Sequence, residues 1–494
     1  YFLGGRDATW LAIGASIFAS NIGSEHLIGL AGAGASSGMA MAHWEIQGWM
    51  ILILGWVFVP FYTRSMVYTM PEFLERRYNP QSRTILSVIS LVSYVLTKVA
   101  VTVYAGGLVF QQVFGIKELW GIDFFWIAAI GLVVLTALYT IFGGMKSVLY
   151  TSVLQTPILL LGSLIILVLG FKELGGWDEM MRVCGAVTVN DYGDTMTNLI
   201  RSNDDANFPW LGALIGSAII GFWYWCTDQF IVQRVLSGKN EMEARRGTIF
   251  GAYLKLLPVF LFLIPGMIAF ALHQKYIGAG GEGFLPMLEN GTANADAAFP
   301  TLVAKLLPAG VKGLVVCGIL AALMSSLASL FNSSAMLFTI DFYKRFRPQT
   351  SEKKLVGIGQ VATVVIVILG ILWIPIMRSV GDVLYTYLQD VQSVLAPGIA
   401  AAFLLGICWK RTSAQGGMWG LISGMVIGLT RLGAKVYYSN AGEVADSTFK
   451  YLFYDMNWLF FCGWMFLFCI IVVIVVSLAT EAPTAEKIQG LVFG

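Results

Sequence analysis

Residues 10–35 read WLAIGASIFASNIGSEHLIGLAGAGA. The run is apolar and long enough to cross a bilayer, which takes roughly 20 residues. Its centre nevertheless carries Asn21, Gly23, Glu25 and His26. A charged side chain at that depth costs at least about 2.5 to 3.5 kcal/mol on insertion scales and usually faces a cavity or a partner. The stretch therefore predicts a membrane helix that is interrupted beside a wet interior.

The composition of the whole chain is that of a membrane protein. Of its 494 residues, 57% are hydrophobic and 12% are charged, whereas a soluble domain carries about a quarter charged residues. Apolar segments of spanning length recur to the end, without the short alternation of barrel strands. The six cysteines lack CxxC spacing and are interpreted as small core residues, and the net charge of +2 gives no indication of nucleic-acid binding. We expect an all-α integral membrane protein whose residues 1–494 form a single transmembrane domain.

Hydropathy predicts twelve spans. They cover residues 8–33, 40–63, 84–115, 122–143, 148–171, 209–233, 246–273, 309–339, 355–377, 383–409, 414–438 and 457–480. The loops after even-numbered spans are rich in Lys and Arg, as in 64–83, 234–246, 344–354 and 410–411, which places them in the cytoplasm. MPEFLERRYNP, residues 70–80, predicts a short interfacial helix that starts at Pro71 and ends before Pro80.

A second span is interrupted by small or polar residues, because Gly216, Ser217 and Gly221 lie near the middle of the sixth. Five spans separate the two interrupted ones, so equivalent elements would have opposite orientations. Residues 8–171 and 209–409 are therefore predicted to form inverted repeats, with two peripheral spans in 414–480. Secondary transporters of this design hold their substrate at the midplane beside broken helices. The prediction rests on span positions alone, since residue-level similarity between the halves is not evident.

Several further polar side chains fall inside predicted spans. They are Glu45, Lys98, Asp228 and Lys255, with His43, Gln155, Gln389, Asp390 and Gln392. Lys98 or Asp390 would equally fit one half of a structural ion pair. The run Trp223 to Trp225 would, taken alone, indicate core packing or an interfacial belt rather than a site.

A serine-rich helix offers oxygen ligands. In AALMSSLASLFNSS, residues 321–334, Ser325 and Ser329 share one helical face and Ser326 lies beside it. Carbonyls freed at a broken helix, together with such hydroxyls, are the hard oxygen ligands that Na⁺ needs. The alternative is that these serines only let helices pack closely and bond back to their own helix.

With these residues in view, the chain resembles the sodium/glucose cotransporters of the sodium:solute symporter family. The resemblance covers nearly the whole sequence. It is carried by YFLGGR, GASIFASNIGSEHLIGLAGAGA, MPEFLERR, WYWCTDQFIVQR, YLKLLP, MSSLASLFNSS and LAPGIAAAFLLGICWKR. It implies a LeuT-like bundle of two inverted five-helix repeats with extra peripheral helices, one of them ahead of YFLGGR.

The resemblance also implies functional residues. The Na⁺ site would use the carbonyls of Ala19, Ile22 and Ala322 and the hydroxyls of Ser325 and Ser326. The sugar site would use Asn21, His26, Glu45, Lys255 and Gln389, with Tyr224 and Trp225 against the ring. The outer lid would be Leu30, Trp44 and Tyr385, and the inner gate Tyr224. A hexose suits such a set, because its hydroxyls both donate and accept hydrogen bonds.

The chain departs from the family pattern at four positions. Ser152, in YTS, stands where relatives with two sodium ions have an aspartate, and Ala328 stands where a second-site hydroxyl would help. Both favour one Na⁺ per substrate. Thr102 replaces an acidic residue one turn after Lys98, so the partner of that lysine is open. Gly221 removes a side chain that would donate or accept a hydrogen bond.

The resulting hypothesis is Na⁺-coupled symport of glucose or galactose by alternating access, with Na⁺ as coupling ion and no organic cofactor. Its partners would be sugar, Na⁺ and the lipid bilayer, in the plasma membrane; sparse N-x-[ST] motifs, Asn290 excepted, favour a bacterial inner membrane. The same machine could carry myo-inositol, a carboxylic acid, sialic acid or an amino acid, although Glu45 would repel anions.

Two readings of other classes stay open. A channel or a sugar sensor would bind without pumping. An intramembrane enzyme would use Glu25, His26 and Glu45 as acid and base groups. Because no HExxH, GxSxG or paired-carboxylate motif is present, we expect that the protein is not an enzyme.

Overall fold

A computed structural model describes residues 6–23, 25–65, 67–288, 291–380, 384–440 and 445–493. The side chains of residues 46, 96, 139, 141–147, 376–380, 384–386 and 440 lie outside this description. The helices are α1 Trp10–Asn21, α2 Ala31–Ser37, α3 Ala42–Ile46, α4 Trp49–Ile53, α5 Val59–Ser65, α6 Met70–Arg77, α7 Pro80–Ser93, α8 Ala100–Phe114, α9 Phe124–Leu174, α10 Trp177–Gly185, α11 Trp210–Gly221, α12 Gln229–Leu236, α13 Glu241–Leu254, α14 Ile264–Gly278, α15 Ala298–Leu306, α16 Ala309–Met336, α17 Lys344–Phe346, α18 Glu352–Val380, α19 Leu384–Cys408, α20 Ala414–Asn440, α21 Thr448–Lys450, α22 Trp458–Ala479 and α23 Ala485–Ile488.

The fold is a helical membrane bundle, as predicted. Nine helical runs among the described residues are long and apolar enough to cross a membrane. The described strands form one short antiparallel hairpin between α8 and α9, in which β1 (Glu118–Leu119) pairs with β2 (Ile122–Asp123). Four of the cysteines are buried, but Cys317 and Cys408 are exposed rather than in the core.

The predicted interfacial helix is α6. Its first turn is capped by Thr69, whose hydroxyl accepts a hydrogen bond from the Glu72 N–H at 3.1 Å. Pro80 does not merely follow this helix, because it occupies the first turn of α7, where Asn79 accepts from the Ser82 N–H at 2.8 Å. Two proline-initiated helices thus turn the chain from the second span into the third.

The fourth and fifth predicted spans are joined in α9, which is helical from Phe124 to Leu174. At a rise of 1.5 Å per residue, its 51 residues would extend about 76 Å if straight, more than twice the hydrocarbon thickness of a bilayer. The boundary that the sequence predicts, at 143–148, falls largely among residues whose side chains are not described.

Six predicted spans contain a π-helical segment, in which the backbone makes i→i+5 rather than i→i+4 bonds. These segments are Glu25–Leu30, Leu54–Phe58, Tyr94–Val99, Phe222–Thr227, Val259–Leu263 and Leu337–Tyr343. They fall in the first, second and third spans and again in the sixth and seventh, and the last begins at the end of the eighth and continues to Tyr343. A further π-helical segment, Tyr451–Asp455, precedes the twelfth span. The described parts of the fourth, fifth, ninth and tenth spans have none.

Two arginines that the sequence assigns to basic loops are instead buried, each with about 1% of its surface exposed. The guanidinium of Arg77 donates to the carbonyls of Gly406 at 2.6 Å and Thr412 at 3.0 Å, so α6 satisfies the end of α19. Arg234 lies in α12 and donates to the hydroxyls of Ser16 at 3.2 Å and Ser20 at 3.1 Å. Loop charge counts therefore overstate the cytoplasmic bias by these two residues.

Candidate functional site

The first predicted span is broken after α1, as the polar centre of the sequence indicates. The Gly23 N–H would reach the Ala19 carbonyl in a continuous helix, but it donates to Asn21 at 3.0 Å. The His26 N–H, which would reach Ile22, donates to Gly23 at 3.2 Å. The carbonyls of Ala19 and Ile22 therefore lose their helical donors at the break.

The serine-rich part of α16 packs against this break. The Ser326 hydroxyl donates to the Ser20 carbonyl at 3.0 Å, and a Cβ at position 23 would collide with the Ser326 hydroxyl, which explains the glycine there. Ser20 and Ser329 hydroxyls lie 2.9 Å apart. Ala322, one turn before Ser326, is buried at 1% exposure. The two predicted suppliers of oxygen atoms thus meet in the bundle.

Ser325 faces a different neighbour. Its hydroxyl lies 3.2 Å from the hydroxyl of Ser152 in α9, and Ser152 also donates to the Val148 carbonyl at 2.7 Å. Both serines are fully buried. At the position where an aspartate would supply a negative charge, the chain therefore has a neutral hydroxyl that bonds within its own helix.

A cavity of about 20 Å³ lies next to the break. It is lined by Asn21, Glu25, His26, Trp44, Glu45, Gln47, Ile220, Tyr224, Trp225, Lys255, Gln389 and Gln392. All seven residues that the family resemblance assigned to the substrate, which come from five predicted spans, line this one cavity. This volume is enough for about one water molecule, so the walls must move apart to admit a larger solute.

A buried charge cluster forms one wall. The Lys255 ammonium contacts Glu45 Oε2 at 2.7 Å and His26 Nε2 at 2.6 Å, and His26 Nε2 is 3.3 Å from the same carboxylate oxygen. Because an ammonium has only donors, Nε2 of His26 acts as its acceptor, which is the neutral form of the ring. The three side chains are 2–4% exposed. Their positive and negative charges therefore balance within the wall.

Amide side chains form much of the remaining wall. The Asn21 amide donates to the Tyr224 hydroxyl at 2.9 Å. The carbonyl oxygens of the Asn21, Gln47 and Gln389 side chains are buried and accept no hydrogen bond from any described residue. A buried acceptor without a donor costs about 1–3 kcal/mol, so these three acceptors around one cavity call for water or a ligand that donates hydrogen bonds.

The break in the sixth span is not at Gly216, Ser217 or Gly221, where the sequence placed it. The backbone is helical through Gly221 and becomes extended at Asp228, whose carboxylate accepts from the Phe230 N–H at 3.1 Å. Gly216 serves close packing, since a Cβ there would lie 2.8 Å from Leu459. Glycines thus mark a helix contact in this span rather than its interruption.

Asp228 is the partner of Lys98, which the sequence left open. Its Oδ2 lies 2.9 Å from the Lys98 ammonium, and its Oδ1 accepts from the Tyr94 hydroxyl at 2.5 Å. Lys98 also lies 4.4 Å from the centroid of the Tyr224 ring. The third span therefore contacts both the break at Asp228 and Tyr224 in the cavity wall.

Two of the predicted gate residues, Trp44 and Tyr224, line the cavity. Leu30 is fully buried, and Trp44 packs edge-on against Trp458 with ring centroids 5.4 Å apart. Tyr224 packs edge-on against Trp225 at 4.8 Å. Tyr385 belongs to α19, but its side chain lies outside the described residues.

Three polar residues of the cavity were not assigned to the substrate from sequence: Glu25, Gln47 and Gln392. Gln392 was recognised only as a polar residue inside a span, and Glu25 was named only there and as an acid or base group of the enzyme alternative. Gln47 was not identified from the sequence, although it follows Glu45 by two residues.

The chain matches known transporters over most of its length. The family model described as Sodium:solute symporter family matches residues 1–424. Sodium/myo-inositol cotransporter 2 of Homo sapiens is 38% identical over 504 aligned residues, which cover 99% of this chain and 74% of the human protein. Sodium/myo-inositol cotransporter of Canis lupus familiaris is 37% identical, covering 100% of this chain and 71% of that protein.

Solved structures show the same architecture. A Na⁺-coupled sialic acid symporter in a substrate-bound, outward-open state matches with a TM-score of 0.74 and 22% identity, covering 98% of this chain and 93% of that one. Mhp1, a nucleobase-cation-symport-1 family transporter, matches with a TM-score of 0.55 and 14% identity, covering 99% and 96%. These LeuT-fold neighbours confirm the predicted fold class. The chain belongs to the sodium:solute symporter family and is a multi-pass Na⁺-coupled solute symporter.

Proposed function

We propose that the protein couples the entry of one Na⁺ to the entry of one neutral polyhydroxylated ring, with myo-inositol as the first candidate substrate. The two mammalian relatives described above are named for myo-inositol, which favours this alternative over the glucose or galactose expected from sequence. The observation that carries the proposal is the cavity, where a Lys–Glu–His cluster and three amide acceptors without donors face one small volume.

The charges around the cavity favour a neutral substrate. Lys255 is paired with Glu45 at 2.7 Å, so its positive charge is not free to hold an anion. Glu25 also lines the cavity and offers no positive charge that would hold a carboxylate. Both contacts of Glu45 use Oε2, which leaves Oε1 to accept from a substrate hydroxyl. Trp225 offers an aromatic face to the C–H surface of the ring.

We place the Na⁺ between the break in the first span and α16. The ligands in this proposal are the carbonyls of Ala19, Ile22 and Ala322 and the hydroxyls of Ser325 and Ser326. The support is geometric: the first two carbonyls have lost their helical donors, and Ser326 lies within hydrogen-bond distance of the break. A single Na⁺ fits the neutral Ser152, which supplies no charge for a second one.

Transport by alternating access then needs two related halves that move around the site. We propose residues 8–171 and 209–409 as these inverted repeats. The recurrence of π-helical segments in the first three spans of each half supports the assignment. In each first span such a segment also adjoins the break, after it in one half and before it in the other. Leu30, Trp44 and Tyr385 would close the outer side and Tyr224 the inner side.

The driving force follows from the coupling. Na⁺ favours the outward-open state, and a ligand shifts a conformational equilibrium only by its difference in affinity between states. An inward Na⁺ gradient then adds to a membrane potential worth about 2.3 kcal/mol per charge per 100 mV. The plasma membrane is the proposed location. A bacterial inner membrane, expected from sequence, has no support from the mammalian relatives.

The test is uptake of radiolabelled myo-inositol, glucose and galactose into proteoliposomes at a clamped potential, with and without an inward Na⁺ gradient. We expect Na⁺-dependent accumulation of myo-inositol above the external concentration, with one charge moved per substrate. Accumulation would exclude a channel or a sensor. Preference for a hexose over myo-inositol would return the substrate to the sugar hypothesis, and uptake without Na⁺ would refute the coupling.

A further inference from the structure

Gln47, which lines the cavity, lies against Gly221 of the sixth span. A Cβ built on Gly221 would lie 2.5 Å from Oε1 of Gln47 and 3.2 Å from Met50 Cγ. The amide group of Gln47 therefore occupies the volume into which a side chain at 221 would project. As the sequence indicated, Gly221 lacks a side chain that could hydrogen-bond to the substrate. In the structure, the amide of Gln47 from the second span occupies that place.

The local backbone holds Gln47 in this position. It lies in the turn between α3 and α4, where the Met50 N–H donates to the Gln47 carbonyl at 2.8 Å. The next residue is Gly48, where a Cβ would lie 3.0 Å from Cγ of Lys255. Gly48 thus leaves room for the methylene groups of Lys255 on one side of the turn. Gln47, two residues after Glu45, lines the cavity.

The side chain of Gln47 is 6% exposed, and its Oε1 accepts no hydrogen bond from the described part of the chain. A buried amide acceptor of this kind is costly unless something donates to it. The nearest open volume is the cavity, which Gln47 lines together with Asn21 and Gln389. Their carbonyl oxygens also lack donors in the described part of the chain, and the hydroxyls of a polyol are donors of the kind that they need.

We propose that Gln47 binds a substrate hydroxyl through its side-chain amide, and that Gly221 makes room for it, so that the pair determines which polyol is preferred. The proposal rests on the proposed function of the cavity. The amide both donates and accepts, so it can hold a hydroxyl in either orientation. A larger residue at 221 would displace Gln47 and move the recognition group to the sixth span.

The first experiment compares Gln47→Leu with the wild type in binding and uptake of myo-inositol. We expect about a tenfold loss of apparent affinity, the equivalent of one hydrogen bond, with unchanged half-saturation by Na⁺. Single deoxy-analogues of myo-inositol identify the hydroxyl, since one analogue should bind poorly to the wild type yet lose nothing further in Gln47→Leu. Gln155→Leu is the matched control, because Gln155 has an acceptor without a donor in the described residues but does not line the cavity.

The second experiment moves the amide side chain from position 47 to position 221. Gly221→Asn alone should abolish uptake, because its side chain would collide with Gln47. The double variant Gly221→Asn with Gln47→Ala should regain uptake, with a changed ranking of analogues. Monodisperse elution from a sizing column shows that each variant folds.

The outcomes separate this inference from the function on which it rests. If the wild type neither binds nor accumulates any polyol, the proposed function fails. If the wild type binds but Gln47→Leu keeps both its affinity and its ranking of analogues, the role of Gln47 is refuted and the polyol site stands.

Discussion

The contact between Lys255 and Glu45 allows a quantitative test of the buried cluster. Lys255→Met removes the ammonium that lies 2.7 Å from Glu45 Oε2 and leaves the carboxylate with His26 at 3.3 Å. Breaking one partner out of a buried pair typically costs 3–5 kcal/mol, because the remaining charge is uncompensated. We therefore expect Lys255→Met to lose about 3 kcal/mol of stability or more, a change of over a hundredfold in the folding equilibrium.

The second step of the same test neutralises the remaining charge. Glu45→Gln added to Lys255→Met removes the isolated carboxylate, and the double variant should recover most of the lost stability. Its substrate affinity should not recover, because the hydroxyl-binding groups are still missing. Lys239→Met serves as the control, since Lys239 is exposed and its loss should change stability by no more than about 0.5 kcal/mol.

The assay is unfolding of the purified protein in mixed micelles with increasing SDS, followed by tryptophan fluorescence. The wild type, Lys255→Met, Glu45→Gln and the double variant together give the coupling energy between Lys255 and Glu45. A coupling energy near zero, with equal losses in Lys255→Met and in the double variant, would show that the pair is not formed in the membrane protein. Recovery of substrate affinity in the double variant would instead assign the two residues a purely structural role.

Three further predictions follow from contacts described above. Ser326→Ala removes a hydroxyl beside the break and should raise the Na⁺ concentration for half-maximal uptake several-fold, while the affinity for the substrate is kept. An unchanged Na⁺ dependence in the uptake assay would refute the Na⁺ site. Ser152→Asp places a carboxylate beside Ser325, so the number of charges moved per substrate molecule should rise from one toward two when current and substrate flux are measured together. One charge per substrate molecule, in a folded and active variant, would contradict this. Arg77→Met leaves carbonyls at the end of α19 without donors and should lower the free energy of unfolding in SDS by about 3 kcal/mol. Arg64 is exposed, so Arg64→Met should change that free energy very little. Equal decreases in the two variants would argue against the buried contact of Arg77.

The sequence located much of the site because charged and amide side chains in apolar spans are costly and so stand out. Asn21, His26 and Glu45 could be found in this way, and the family resemblance joined them to the distant Lys255 and Gln389. All five line one cavity. Hydropathy likewise predicted the long helices, since apolar runs of spanning length have few alternatives in a bilayer.

The parts that sequence missed depend on three-dimensional neighbours. Gly216 and Gly221 suggested a break, but a glycine serves close packing or makes room for another side chain equally well, and only the partner residue decides. Gln47 is recognisable only beside Gly221. Arg77 and Arg234 follow apolar spans in the chain and so resemble loop charges, yet each finds oxygen acceptors inside the bundle. Position along the chain does not reveal such partners.

The π-helical segments bear on how each span is oriented in the bundle. Each π turn holds one residue more than an α turn, so it rotates everything beyond it by about 100° relative to a continuous α-helix. The two π turns beside the breaks are not at equivalent points, because one follows its break and the other precedes it. A common origin of the two proposed repeats would therefore not by itself account for them. Each turn resets which face of its span points into the bundle, without any change in the residues that follow it.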